Sequence, residues 1–88
     1  MEVKFDPQAL DDIQVWKRSG KKSIQKKISE LLHSILATPF SGIGHPEPLR
    51  GNLSGFWSRE ITKKDRLVYK VFRGYIYVYS LRGHYDDK

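Results

Sequence analysis

The spacing of apolar residues along the chain predicts a short strand, then two helices, then a half that is rich in strands. Residues 2–5 alternate polar and apolar side chains, as a half-buried strand does. Asp6 and Pro7 follow. Because Asp is a favoured helix N-cap and Pro suits the first helical position, we expect a helix to begin there and to end at residues 19–20. Its expected buried side carries Leu10, Ile13 and Trp16.

A second helical pattern begins at Lys21 or Lys22 and ends before Pro39. Apolar side chains recur at helical spacing along one of its sides: Ile24, Ile28, Leu31, Leu32, Ile35 and Leu36. The helix ends at Thr38, because a residue that precedes proline avoids the α conformation. The two helices should therefore form an antiparallel hairpin whose apolar side packs against a sheet.

A segment rich in glycine and proline separates the helices from the strands and runs to about residue 54. A connection of this length without secondary structure is long for a small domain, and such loops more often carry function. The segment contains Glu47, which lies between Pro46 and Pro48. Glu47 is therefore a candidate site residue.

Residues 55–62, 66–72 and 75–82 read as strands joined by short turns, which predicts three antiparallel neighbours. One face of the middle strand carries Leu67, Tyr69 and Val71, and the other carries Arg66, Val68 and Lys70. In the last strand we expect Ile76 and Val78 to point inward. The predicted fold class is α+β: a short N-terminal strand and a two-helix hairpin packed on one face of a twisted antiparallel sheet.

Length, charge and composition narrow the class of protein. The chain has 88 residues, too few for two hydrophobic cores, so we expect residues 1–88 to form one domain. Lys and Arg number 16 against 10 Asp and Glu, and the net charge of +6 favours a polyanionic partner such as nucleic acid. A solvated basic surface is the alternative. Cysteine is absent, which excludes disulfides, thiolate catalysis and cysteine zinc sites.

The sequence also lacks membrane and secretion signals. No apolar run approaches the roughly 20 residues that span a bilayer, and the N-terminus does not have the pattern of a signal peptide. We therefore expect a cytoplasmic protein with no membrane partner.

The residues left for chemistry are a carboxylate, arginines and a histidine. The histidines at positions 33, 45 and 84 have no ligand-like spacing, and no glycine-rich phosphate loop is present, so neither a metal nor another cofactor is expected. A base, a cationic donor to phosphate and an acid are the groups needed to cleave RNA through its own 2′-hydroxyl. The alternative is that these residues have no catalytic role. Glu47 would then be a solvated loop carboxylate, Arg59 and Arg66 ordinary charged residues on edge strands, and residues 84–85 a frayed tail.

Several motifs resemble the YoeB/Txe family of bacterial toxins within the RelE superfamily. They are Pro46-Glu47-Pro48-Leu49, Asn52-Leu53-Ser54-Gly55-Phe56-Trp57-Ser58-Arg59, Ile61-Thr62, Arg66-Leu67-Val68-Tyr69 and His84-Tyr85. The resemblance covers essentially the whole chain and includes Thr38-Pro39-Phe40 and Gly42 ahead of the loop. It implies a RelE-like fold and a toxin of a type II toxin–antitoxin system.

The resemblance further implies a ribosome-dependent mRNA interferase, a metal-independent endoribonuclease that cleaves message in the A site of the 70S ribosome. The motifs imply Glu47 as general base, Arg66 as stabiliser of the phosphorane, His84 as general acid, Tyr85 as the residue that orients the substrate, and Arg59 as a phosphate contact. Close relatives often carry a second arginine where this chain has Glu60. That contact would be lost or supplied by Arg50, Lys63 or Lys64.

The resemblance also implies partners, namely a YefM-like antitoxin and a second copy of the chain in a homodimer. Because the chain carries a net charge of +6, we expect the antitoxin segment to be acidic and disordered until it binds. The rival interpretation is a non-catalytic toxin of the same fold that blocks the ribosome or, like ParE, DNA gyrase. The ParE-like relatives lack the set of Glu, Arg and His, which this chain has.

Overall fold

The computed structural model describes residues 1–83, so the predictions for His84 and Tyr85 lie outside the described residues. The helices are α1 (Pro7–Ser19) and α2 (Lys22–Ala37), and a 3₁₀ turn spans Gly51–Leu53. The strands are β1 (Glu2–Phe5), β2 (Glu47–Pro48), β3 (Trp57–Glu60), β4 (Arg66–Phe72) and β5 (Tyr75–Ser80). Within that range the strands form a five-stranded sheet in the order β1-β5-β4-β3-β2.

Helix α1 begins and ends where the sequence predicts, but its buried side is rotated. The carboxylate of Asp6 caps the helix by accepting from Gln8 N at 2.9 Å, and Gly20 ends it with a φ of 72°. The buried positions of the helix are Ala9, Asp12 and Trp16. Leu10 is 51% exposed, so the predicted burial of this residue is wrong.

Two buried hydrogen bonds to Leu81 explain this rotation. The Asp12 carboxylate accepts from Leu81 N at 2.8 Å, and Trp16 Nε1 donates to Leu81 O at 2.9 Å. Asp12 and Trp16 lie four residues apart and therefore share one side of the helix. Because this side satisfies both backbone groups of Leu81, Leu10 is turned towards solvent.

Asp12→Ala should lower the free energy of unfolding by about 2 kcal/mol, because the buried Leu81 N–H loses its acceptor. Asp11→Ala is the matched control, since Asp11 is the exposed neighbour on the same helix and its loss should cost less than about 0.5 kcal/mol. Urea denaturation of the two variants measures the difference. Equal stability would show that the Asp12 bond contributes nothing.

The sheet is mixed, whereas the sequence predicts an antiparallel one. β1 pairs with β5 in the parallel direction, with Val3 opposite Ile76 and Phe5 opposite Val78. The other neighbouring strands are antiparallel. Alternation within a strand shows which side chains share a face, but it contains no information about the direction of a partner far away in the chain.

The segment predicted to have no secondary structure contains β2 and the 3₁₀ turn. Glu47 lies opposite Ser58, and Pro48 lies opposite Trp57. Leu49 then donates its N–H to Phe56 O at 2.9 Å and is 4% exposed. A strand of two residues is too short to show a period of two, so the sequence pattern could not reveal it. Glu47 is consequently held on the edge of the sheet.

The helices cover one face of the sheet and form the core with it. Core residues from both layers are at most 8% exposed, among them Ala9, Trp16, Leu31, Ile35, Leu67, Tyr69, Ile76 and Val78. This confirms the predicted inward faces of β4 and β5. We call the opposite face, which bears the side chains of Arg66, Val68 and Lys70, the open face. None of the helices in residues 1–83 is long and apolar enough to cross a membrane.

Candidate active site

Two of the predicted catalytic residues meet at Ser58 on the open face. Glu47 of β2 lies directly opposite Ser58 of β3, so their side chains share a face of the sheet. Arg66 of β4 reaches across to β3, where its Nε donates to Ser58 Oγ at 2.8 Å. Glu47 and Arg66 therefore flank the same serine.

The guanidinium of Arg66 is held along one edge. Nη2 donates to His45 O at 3.1 Å and makes a longer contact of 3.5 Å with Ser58 O, in addition to the Nε bond. Within residues 1–83, Nη1 has no hydrogen-bond acceptor. The side chain is half-buried. A guanidinium that is fixed on one edge and keeps donors on the other is suited to bind a phosphate oxygen.

His45 and Glu60 border Arg66, although the sequence did not assign either to the site. His45 has a φ of 53°, in the left-handed region, and its carbonyl accepts from Arg66. The imidazole is exposed, and its Nε2 lies 4.0 Å from Glu60 Oε1. Glu60 is paired with Arg66 across β3 and β4. Ser58 and Glu60 lie beside Arg66 because of the register of the strands, and His45 because of the path of the loop before β2. The sequence pattern alone gives neither.

The C-terminal end of the described chain also reaches Arg66. The backbone N–H of Arg66 donates to Gly83 O at 3.0 Å, and Gly83 N donates to Asp65 Oδ1 at 2.9 Å. The other carboxylate oxygen of Asp65 accepts from Thr62 Oγ1 at 2.9 Å, which closes the turn between β3 and β4. Gly83 is the residue directly before His84 in the sequence.

Arg59 does not join this site. It pairs with Leu67, on the face of the sheet that the helices cover, and is 0% exposed. Its N–H groups donate over 2.6 to 3.1 Å to Tyr69 Oη, Ser34 Oγ and the carbonyls of Thr38, Ser41 and Ile43. A guanidinium has five N–H donors, and all of them are engaged. The predicted contact of Arg59 with phosphate is therefore wrong, and Arg59 is a structural residue.

Arg59 fixes the segment between α2 and β2 against the core. Burial raises the pKa of the Tyr69 phenol, and the hydrogen bond from Arg59 opposes that rise. The neutral hydroxyl accepts from Arg59 Nε and donates to Pro39 O at 2.6 Å. Gly42 has a φ of 114°, and a Cβ there would lie 2.3 Å from Ser34 Oγ, so the path of this segment requires glycine. This segment leads into β2 and so determines where Glu47 lies.

The remaining predicted substrate-binding residues are exposed. Lys63 and Lys64 lie in the turn that precedes Arg66, at the same end of the hairpin. Arg50 lies at the start of the 3₁₀ turn, three residues after Glu47. In the part of the chain that the structure describes, no three His, Asp or Glu side chains are close enough together to hold a metal ion.

Known proteins with similar sequences identify the family. A family model described as "YoeB-like toxin of bacterial type II toxin-antitoxin system" matches residues 5–85. Toxin YoeB of Escherichia coli strain K12 is 45% identical over 85 residues, which cover 97% of this chain and 100% of that toxin. The chain belongs to the YoeB family. It is therefore a toxin of a type II toxin–antitoxin system, as its motifs indicated.

Solved structures of YoeB proteins agree with this fold. A YoeB/ParE toxin from Agrobacterium tumefaciens superposes with a TM-score of 0.92 at 37% identity, over 97% of this chain and 100% of that one. The YoeB dimer from Staphylococcus aureus superposes with a TM-score of 0.87 at 41% identity, over 97% of this chain and 98% of that one. A heterotetrameric YoeB–YefM toxin–antitoxin complex from the same organism gives a TM-score of 0.86 at the same identity and coverage. The predicted α+β, RelE-like class is confirmed.

Proposed function

We propose that this YoeB-family toxin is a metal-independent endoribonuclease that cleaves mRNA in the A site of the 70S ribosome in the cytoplasm and so inhibits translation. The observation that supports this function best is the position of Glu47 and Arg66 on either side of Ser58. A base and a cation that binds an oxyanion, within reach of one phosphate, are two of the three groups that the reaction needs.

In the proposed reaction Glu47 removes the proton from a ribose 2′-hydroxyl, and the oxygen forms a bond to the adjacent phosphorus. The free edge of Arg66 donates to the non-bridging oxygens as negative charge grows in the phosphorane. The bond from phosphorus to the 5′-oxygen then breaks, and His84 protonates that oxygen while Tyr85 orients the substrate. The products are a 2′,3′-cyclic phosphate and a 5′-hydroxyl end.

Two structural features support the other proposed contacts. Gly83, the residue before His84, is bonded to the backbone of Arg66 and to Asp65. Lys63, Lys64 and Arg50 are exposed cations suited to phosphates that flank the scissile one, where they contribute affinity without sequence preference.

Primer extension on a message in a purified translation extract tests this function. We expect cleavage that requires translating ribosomes and leaves a 5′-hydroxyl end. A toxin that blocks the ribosome by binding would stop translation and leave the message intact, and a gyrase inhibitor would change DNA supercoiling. An intact message in the presence of the parent chain would refute the proposal.

We also propose that a YefM-like antitoxin neutralises this chain and that the toxin forms a homodimer. The related proteins of Staphylococcus aureus were solved as a dimer and as a heterotetrameric complex with YefM. The net charge of +6 favours an acidic antitoxin segment that is disordered before binding. Calorimetric titration with such a segment should show binding that weakens as salt is added. No detectable binding would count against this partner.

Glu60→Gln should raise the rate of message cleavage about three- to tenfold. Glu60 is paired with Arg66, and its carboxylate is partly exposed. Because water screens the repulsion, the carboxylate opposes the approach of a phosphate by only about 1 kcal/mol. Glu30→Gln is the control, because it removes the same charge from the exposed side of α2. Initial rates in the translation extract measure both. A rate below that of the parent would show that Glu60 assists the reaction.

A further inference from the structure

Five aromatic rings and one lysine line a groove on the open face, beside the candidate site. The groove that they line has a volume of about 330 Å³, and its residues are Phe56, Lys70, Phe72, Tyr75, Tyr77 and Tyr79. None of them belongs to the hydrophobic core, which lies on the other face. Phe72 is 42% exposed. A cluster of aromatic rings on the surface of so small a protein is typical of a binding site.

The pairing of β4 with β5 builds this aromatic groove. Lys70 lies opposite Tyr77, and Phe72 lies opposite Tyr75. Alternate residues of both strands therefore point to the open face. Lys70 Nζ is 4.9 Å from the centre of the Phe56 ring and 5.1 Å from that of Phe72. The lysine thus places its positive charge among the rings.

The rings are tilted against one another and are not stacked face to face. The Phe56 and Tyr79 rings are 5.5 Å apart with 56° between their planes, and Phe72 and Tyr75 are 5.9 Å apart at 84°. An edge-to-face pair does not cover both faces of its rings. Neither pair therefore buries the face of one ring against the face of the other.

Among residues 1–83, the border of the aromatic groove carries more positive than negative charge. The cations that lie 4.4 to 5.9 Å from its ring centres are Lys4, Lys70 and Arg73. Two carboxylates border it as well, those of Glu2 and Asp6. Asp6 is already engaged, because it accepts hydrogen bonds from the Tyr77 hydroxyl and from Gln8 N. The balance of charge favours an anionic ligand.

We propose that the aromatic groove is a binding subsite for the bases of single-stranded RNA. Aromatic rings interleaved with cations bind single strands by stacking, and each stacked base tightens binding roughly 5- to 100-fold. Lys70 lies four residues from Arg66 on the same face of β4, about 13 Å along the strand. An extended strand of RNA therefore reaches both. The inference rests on the proposed function, since it takes RNA as the substrate of the neighbouring site.

The test is a titration of the full chain with hexauridylate up to millimolar concentration, followed by NMR. The Glu47→Gln protein is used throughout so that cleavage does not interfere. In this background Tyr79→Leu, which removes a ring and keeps an apolar side chain, should weaken binding roughly 5- to 100-fold. Tyr79→Phe keeps the ring and should restore binding. Phe40→Leu removes an exposed ring that lies outside the groove and should have no effect.

A second ligand separates stacking from charge. Tripolyphosphate carries the charge of an RNA backbone without bases, so Tyr79→Leu should leave its binding unchanged while Lys70→Gln weakens it. Far-ultraviolet circular dichroism of each variant confirms that it is folded. The inference is overturned if hexauridylate does not bind, or if it binds to Tyr79→Leu as tightly as to its parent. It is also overturned if Tyr79→Leu still binds hexauridylate as its parent does and loses instead the binding of an acidic protein segment.

The result is independent of the test of the proposed function. Cleavage in the translation extract without binding of hexauridylate in the groove would remove this subsite and leave the endoribonuclease in place. Binding of hexauridylate that depends on Tyr79, together with an intact message in the extract, would refute the endoribonuclease and retain a site for single-stranded RNA.

Discussion

Arg66→Ala should lower the rate of message cleavage roughly 10²- to 10³-fold, the usual loss when a donor to a developing oxyanion is removed. The side chain is fixed by bonds to Ser58 and His45, so the guanidinium is already oriented before the substrate binds. Pre-orientation matters here because a donor that needs no rearrangement stabilises the transition state more than the ground state. Quantitative primer extension in a translation extract measures the rate.

Two further variants make the Arg66 result specific. Arg66→Lys keeps the charge but loses the planar fork, and it should recover only part of the rate. Lys26→Ala removes one exposed positive charge from α2, on the other side of the molecule, and should leave the rate within about twofold of the parent. If Arg66→Ala cleaves as fast as Lys26→Ala, Arg66 does not act on the phosphate.

Arg59→Leu should lower the free energy of unfolding by about 3 to 5 kcal/mol, a large part of the 5 to 15 kcal/mol that stabilises a typical domain. The substitution removes five hydrogen bonds at once, from acceptors that are buried or partly buried. Part of the loss is recovered, because the carbonyls of Thr38, Ser41 and Ile43 belong to exposed residues and gain water. The buried hydroxyl of Tyr69 keeps its bond to Pro39 O.

Urea denaturation of Arg59→Leu and Arg66→Ala compares two arginines of the same sheet. Arg66→Ala should change the free energy of unfolding by less than about 1 kcal/mol, because its side chain is half-buried and borders solvent. The two substitutions should therefore have opposite profiles: one reduces stability and the other reduces activity. An Arg59→Leu protein as stable as Arg66→Ala would show that the five bonds of Arg59 do not hold the segment in place.

The different roles of these arginines show where the sequence was insufficient. Both are strand residues in motifs that resemble the YoeB family, and both were predicted to bind phosphate. The pleat of the sheet separates them, because Arg59 points to the helices and Arg66 to the open face. The acceptors of Arg59 also lie 10 to 25 positions away in the chain, so no local pattern identifies them.

The candidate site was predicted in part. Glu47 and Arg66 were named from the sequence, and the structure brings them together at a serine that the sequence had left without a role. The position of Glu47 depends on β2, a strand of two residues that exists only because it pairs with β3. The aromatic groove depends on the assembled sheet, because its rings come from β4, β5 and the residue before β3.

The sequence by itself determined the limits of both helices and the inward faces of β4 and β5. These features depend on capping residues and on the spacing of apolar side chains, which repeats every two residues in a strand and every 3.6 in a helix. Both are properties of residues that are close together in the chain. Only the tertiary structure decided the parallel pairing of β1 with β5, the exposure of Leu10, the burial of Arg59 and the meeting of Glu47 with Arg66. Those features depend on hydrogen bonds and packing between residues that are distant in sequence, and such contacts form only when the sheet has assembled.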